Sequence, residues 1–203
     1  MESQNFTYFI GVDEVGRGPV AGPVYVCGLF ISSENLEKII KEAGNLPLRD
    51  SKKLTEKMRG KWFLKIKEFG DAGYLKYVVS KASASEIDEK GIAVCIKACV
   101  KNSVIKIDAD KEKTKVLLDG GLSVGGDFTE ESFIKGDENI PVISLASIVA
   151  KVLRDKEMAE LSKEYPEYGF EKHKGYGTKA HMDAILKHGA TDLHRKSFLK
   201  NYI

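Results

Sequence analysis

Residues 8–31 read YFIGVDEVGRGPVAGPVYVCGLFI. Two apolar runs, Tyr8–Asp13 and Val24–Ile31, flank a stretch of glycine, proline and one arginine. That arrangement predicts two strands, paired antiparallel. The first run ends in adjacent carboxylates, Asp13 and Glu14. On a regular strand, neighbouring side chains point to opposite faces. For both acids to serve one site, the strand must bend or end between them, and Val15-Gly16-Arg17-Gly18 offers the place.

Downstream, residues 45–54 are loop-like, and a basic amphipathic helix is expected over Thr55–Phe69 with Met58, Trp62, Phe63 and Ile66 inward. Tyr74–Ser80 reads as a third strand. Ser83 and Ser85 precede Glu86 and Asp88 by three residues, the capping-box spacing, so a helix should run on toward Val104, weakened near its start by Gly91. Lys115–Leu118 and Ser132–Lys135 are two more short strands, stopped by Asp119-Gly120-Gly121 and Gly136-Asp137. A long helix is expected over Pro141–Tyr165, its first half rich in small residues that permit close packing on a sheet. A basic, aromatic loop, YGFEKHKGYGT (168–178), a helix over Lys179–Lys187 and a polar tail follow. Strands first with helices interleaved and last point to a mixed α/β layer fold.

With 203 residues, 42% of them hydrophobic, the chain can bury one sizeable core. The expectation is a single domain over 1–203, with a helical C-terminal segment of roughly 179–203 packed on it. The 32 basic and 30 acidic residues leave a net charge of +2, so a nucleic-acid surface would have to be a local patch. Cys27, Cys95 and Cys99 have neither disulfide-framework nor zinc-site spacing, which fits a reducing cytoplasm. The N-terminus lacks the pattern of an export signal, and no apolar run reaches membrane-span length.

Most acids of a soluble chain lie on solvated faces. Asp13, Asp119 and Asp137 differ, because each ends an apolar segment beside glycine or a second acid. Each alone could be an Asx turn leaving a strand; together with Glu14 they suggest convergence at neighbouring strand ends. Clustered carboxylates raise one another's pKa unless a cation compensates them. All-oxygen donors favour a hard divalent ion, Mg²⁺ or Mn²⁺, and such ions suit phosphodiester chemistry.

The ordered set GVDEVGRGPVAGPV (11–24), DSKKL (50–54), LLDGG (117–121), KGD (135–137), SLASIVAKVLRD (144–155), HKGYGT (173–178) and HRKSF (194–198) resembles the successive motifs of bacterial ribonuclease HII over almost the whole chain. The resemblance implies a ribonuclease H-like fold, a mixed central sheet flanked by helices. It also implies metal-dependent cleavage of the RNA strand of RNA–DNA hybrids, and incision 5′ of single ribonucleotides in duplex DNA that leaves 3′-hydroxyl and 5′-phosphate ends. By motif position, Asp13, Glu14, Asp119 and Asp137 are the catalytic and metal-binding acids, with two ions in the substrate complex. Asp155 is left outside that set, as an acid paired with Arg154 or Lys151.

For substrate, Gly16, Arg17 and Gly18 match the loop that reads the 2′-hydroxyl, a group that both donates and accepts; a plain tight turn with a surface arginine is the alternative. Tyr176 matches the tyrosine that packs against the next sugar, or else anchors its loop in the core. Lys52 and Lys174 are phosphate contacts or solvated loop lysines. The four histidines are spread through the last part of the sequence, and His194 and Arg195 are expected to tie down the C-terminal segment. A monomer is expected. Contact with a sliding clamp is left open by the short tail after HRKSF, and no N-terminal substrate-binding domain precedes Tyr8, which favours ribonuclease HII over HIII. The rival readings are another ribonuclease H-fold nuclease, of the resolvase or transposase kind, and a noncatalytic hybrid-binding module.

Overall fold

The computed structural model describes residues 6–48 and 51–200. Strands β1 (Tyr8–Val15) and β2 (Val24–Ser32) pair antiparallel, with Asp13 opposite Cys27 and Glu14 opposite Val26. β3 (Leu75–Ala82) adds antiparallel to β2, whereas β4 (Thr114–Asp119) and β5 (Thr129–Phe133) extend the other side in parallel. The five-stranded order is β3-β2-β1-β4-β5. β1 is therefore central and covered on both faces. Ile10 and Val12 enter one core, Val15 and Phe9 the other, following the two-residue alternation of a strand.

The helix α1 (Ser33–Ala43) was not expected from the sequence, although Ser32 caps it and Leu36, Ile39, Ile40 and Ala43 recur at helical spacing. It joins α2 (Glu56–Asp71), capped by Thr55, on one face of the sheet. The other face is covered by α3 (Ala84–Lys90) and α4 (Ile92–Ile105). These were read as one helix. Gly91, at φ 83°, breaks it, a conformation that costs a β-carbon-free residue nothing. The capping box at Ser83 and Glu86 is formed; Asp88 instead accepts from the amides of Lys196 and Ser197, fastening the C-terminal segment.

The short α5 (Gly136–Asn139) precedes the long α6 (Pro141–Glu164), which lies across β1 and β2. Small residues explain its approach: a Cβ on Gly11 would sit 2.3 Å from the Val142 carbonyl oxygen, so only glycine lets the helix reach the strand. α7 (Phe170–His173), α8 (Lys179–His188) and α9 (Lys196–Leu199) gather around a third core of Ala21, Met158, Tyr168, Phe170, Ile185 and Leu199. Among the described residues, no helix is long and apolar enough to cross a membrane.

Two local expectations change. β5 ends at Phe133, before the predicted Lys135, because Lys135 turns into the left-handed region at φ 56°. Asp137 consequently sits in the first turn of α5 and does not end a strand.

Candidate active site

The strand β1 does not end between Asp13 and Glu14; it continues through Val15 on its β2 side. Its pairing with β4 stops earlier, at Val12 opposite Leu118. Beyond that point the β4 side of β1 is open. Asp13 faces α6, Glu14 starts from the opposite face, and Asp119 ends β4 next to the opening. Each of the three offers a carboxylate oxygen, and these oxygens lie within 4.8 Å of one another. The notch between a long strand and a shorter neighbour thus does what a bend was expected to do.

Each acid is held locally. Asp13 is 3% exposed and accepts from the Glu14 amide at 2.7 Å and from the Ser147 side chain. The Ser147 hydroxyl shares a hydrogen bond of 2.8 Å with that of Ser51, and both residues are fully buried. Asp119 accepts from the amide of Gly136 at 2.7 Å and that of Asp137 at 3.4 Å, which docks α5 on the end of β4. Asp137 is buried beside this group but outside the set of three that meet within 4.8 Å; its Oδ2 lies 4.0 Å from Lys52 Nζ.

Burial raises the Asp13 carboxyl well above its ordinary range; the Ser147 bond opposes this, and the charges of Glu14, Asp119 and Asp137 add to it. Glu14 is raised too, again by burial first, against the pull of Arg17, whose guanidinium stands 3.6 Å away. Three carboxylate oxygens held this close are the donor set of a hard divalent cation. The residues present fit such an ion.

Over the acids lies the turn from β1 to β2, and two arginines hold it from beneath. Arg195 is fully buried and donates to the carbonyls of Gly22 (3.0 Å), Arg17 (2.9 Å) and Gly16 (2.6 Å). Arg154, equally buried, donates to Pro23 (2.9 Å), Ala21 (3.3 Å) and, across to the next loop, Lys174 (2.9 Å). Burial lowers both guanidinium pKa values, that of Arg195 to about 10. Gly16 is required twice over: its φ is 93°, and a Cβ there would fall 2.2 Å from Arg154 Nε. Sequence reading expected Arg195 to tie down the C-terminal segment and Asp155 to pair with Arg154 or Lys151; Asp155 pairs with Lys151 at 2.8 Å and with Arg59 at 3.7 Å, and Arg154 is spent on carbonyls.

The HKGYGT loop docks on the same turn. Gly175 accepts from the amides of Val20 and Ala21, and a Cβ on it would meet the Ala21 carbonyl at 2.3 Å. Tyr176 is 43% exposed with its ring beside Gly18, so it is no core anchor. Its carbonyl does the anchoring. Three histidines that are distant in sequence converge here: His181 Nδ1 lies 2.9 Å from the Tyr176 oxygen, its Nε2 is 3.2 Å from His194 Nε2, and His173 stacks on His181. The Thr191 amide donates to His194 Nδ1, so His194 Nε2 must donate to His181, whose Nδ1 then donates to Tyr176. Both rings are neutral in this chain. Burial lowers the pKa of each, His181 to about 4. Arg17 and Lys52 are exposed, and Lys174 is half-buried in the left-handed region at φ 52°.

Residues 10–201 match the family model described as Ribonuclease HII. A ribonuclease HII of Clostridium perfringens (strain SM101 / Type A) is 45% identical over 204 residues, covering 98% of this chain and 69% of that protein. The fold is similar to that of the Archaeoglobus fulgidus ribonuclease HII solved in complex with PCNA, with a TM-score of 0.72, 25% identity, and coverage of 92% of this chain and 93% of that one. It is similar also to Bst-RNase HIII in complex with Mn²⁺, with a TM-score of 0.66, 18% identity, and coverage of 98% and 71%. The chain belongs to the ribonuclease HII family and is a divalent-metal-dependent nuclease of the ribonuclease H type.

Proposed function

We propose that Asp13, Glu14, Asp119 and Asp137 hold two divalent ions, Mg²⁺ or Mn²⁺, and that the enzyme cuts the RNA strand of RNA–DNA hybrids and nicks duplex DNA on the 5′ side of an isolated ribonucleotide. The observation that carries this reading is the meeting of the Asp13, Glu14 and Asp119 oxygens next to the Gly16–Gly18 turn. When bound, such ions would supply Lewis acidity for attack of water on the phosphodiester; with the 3′-oxygen as leaving group, the ends left are a 3′-hydroxyl and a 5′-phosphate.

The remaining work falls to the chain. Gly16 and Gly18 let main-chain groups approach a ribose, so that its 2′-hydroxyl is read where only a hydrogen would otherwise stand. The exposed Tyr176 ring offers a flat surface to the following sugar. Lys52 and Lys174 offer charge to the phosphates on either side. Arg154 and Arg195 keep the reading turn in place and do not touch substrate. The histidine chain is not a general base, since its ring nitrogens are spent on one another and on Tyr176. A single catalytic unit, acting as a monomer, suffices: the C-terminal segment is part of it because Arg195 and the Ala21–His194 bridge hold the turn between β1 and β2.

The test is an RNA–DNA hybrid incubated with enzyme and Mg²⁺ or Mn²⁺, with and without EDTA. The RNA strand should be cut with metal and stay intact with EDTA. Cutting that persists in EDTA would remove the metal from the mechanism.

A further inference from the structure

Between α2 and α6 runs a groove of about 710 Å³, lined by Glu56, Lys57, Arg59 and Gly60 on one side, Asp155 and Lys156 on the other, and Lys174. Lys174 in its lining belongs to the loop of Tyr176, and Arg59 reaches from it to the segment before α2. Arg59 donates to the carbonyls of Ser51 and Leu54 at 2.9 and 2.5 Å, which fixes the segment whose Ser51 hydroxyl leads through Ser147 to Asp13. Lys174 passes its carbonyl to Arg154 and its neighbour Gly175 to the turn at Val20 and Ala21. A duplex engaged at the carboxylates therefore has this groove next to it.

Lys57, Arg59, Lys156 and Lys174 outweigh Glu56 and Asp155 in its lining, so the groove carries a net positive charge. Asp155 is compensated by Lys151 and Arg59, while no ion pair among the described residues engages Lys57, Lys156 or Lys174. The second observation is Gly60. It lies inside α2, where glycine is among the least favourable residues, and a Cβ there would meet nothing within 4 Å. Nothing within the protein demands that glycine. Its bare backbone opens the groove to something from outside.

We propose that this groove seats the sugar–phosphate backbone of the substrate duplex beside the scissile phosphate, an extension that rests on the nuclease reading above. Lys57 and Lys156 neutralise two phosphates, and Gly60 lets a sugar pass close to the helix. Polyanion binding of this kind releases counterions and weakens with salt in proportion to the phosphates neutralised.

The experiment is fluorescence anisotropy of a labelled DNA duplex carrying one ribonucleotide, in EDTA so that cleavage does not occur, across a range of salt. In the double variant Lys57→Ala/Lys156→Ala the slope of log Kd against log salt should fall by roughly two, so that its affinity deficit narrows about tenfold between 50 and 200 mM salt. Gly60→Leu should weaken binding several-fold while unfolding at the same or a higher temperature than the wild type. An unchanged slope in the double variant, or wild-type affinity in Gly60→Leu, overturns the proposal. Wild-type protein that binds in this salt-dependent way yet fails to cut in Mg²⁺ would sink the nuclease reading and still support the groove.

Discussion

Two neighbouring regions of this molecule bury charge in opposite ways. At the end of β1, Asp13, Glu14 and Asp119 crowd their carboxylates together, and burial plus mutual repulsion raises the pKa of the first two. Beside it in space, Arg154 and Arg195 bury guanidiniums and spend their protons on main-chain carbonyls of residues 16, 17, 21, 22, 23 and 174. Pairing buried cations with buried acids would have been the ordinary way to stabilise both. Keeping them apart leaves the acids available to an outside cation and makes the arginines a scaffold for the turn. Among the described residues, the ion pair that crosses between the two regions is that of exposed Arg17, 3.6 Å from Glu14.

Substitutions on the two sides should therefore behave differently. Asp119→Asn keeps the oxygen that accepts from Gly136 and removes a charge that disfavours ionised Asp13. Cleavage should fall by more than the roughly 10–100-fold typical of residues that merely orient a metal ligand, while the melting temperature stays level or rises. A large loss of stability with activity retained would break the contrast. Arg195→Met should do the reverse in kind: three carbonyls of a buried turn lose a charged donor, costing about 3 kcal/mol or more of stability. Chemical denaturation measures this, and a change below about 1 kcal/mol would mean that the turn holds itself.

Acid should test the histidine chain beneath Tyr176. The folded-state pKa of His181, about 4, lies below its ordinary value of 6.5, so the unfolded chain takes up a proton that the folded one refuses. The stability of the neutral chain is complete above pH 6.5 and is lost as pH falls toward 4, by about 3 kcal/mol at most. Comparing wild type with His181→Asn isolates this contribution from that of the raised carboxylates, which runs the other way. Equal slopes of stability against pH in the two proteins would rule the contribution out.

How much of this was legible beforehand depends on whether a residue's role is local. The acids stood out because each closes an apolar segment, and Asp13, Glu14 and Asp119 do meet, although through unequal strand lengths, where a bend had been expected. Asp137 was read as closing a strand but lies in the first turn of α5, since the left-handed turn at Lys135 leaves no mark in composition. Arg154 was read only as a possible partner of Asp155 and Arg195 as a tie for the C-terminal segment; the turn they hold was not seen, because its carbonyls lie 130 to 180 residues away. Ser147 gave no signal either, since serine among alanines reads as a small packing residue, and Ser51 in DSKKL stood beside the more conspicuous lysines. The helix at Ser33–Ala43 was simply missed, with its cap and its periodicity both in plain view.

The most direct test of the whole account is to map the cut in an end-labelled DNA duplex carrying one ribonucleotide, against the same duplex in all-DNA form, with Mg²⁺ or Mn²⁺. Incision should occur on the 5′ side of the ribonucleotide, should weaken in Tyr176→Ala without loss of thermal stability, and should spare the all-DNA duplex. Equal cutting of both duplexes would contradict the claim that the turn at Gly16–Gly18 sets a reader of the 2′-hydroxyl against the carboxylates.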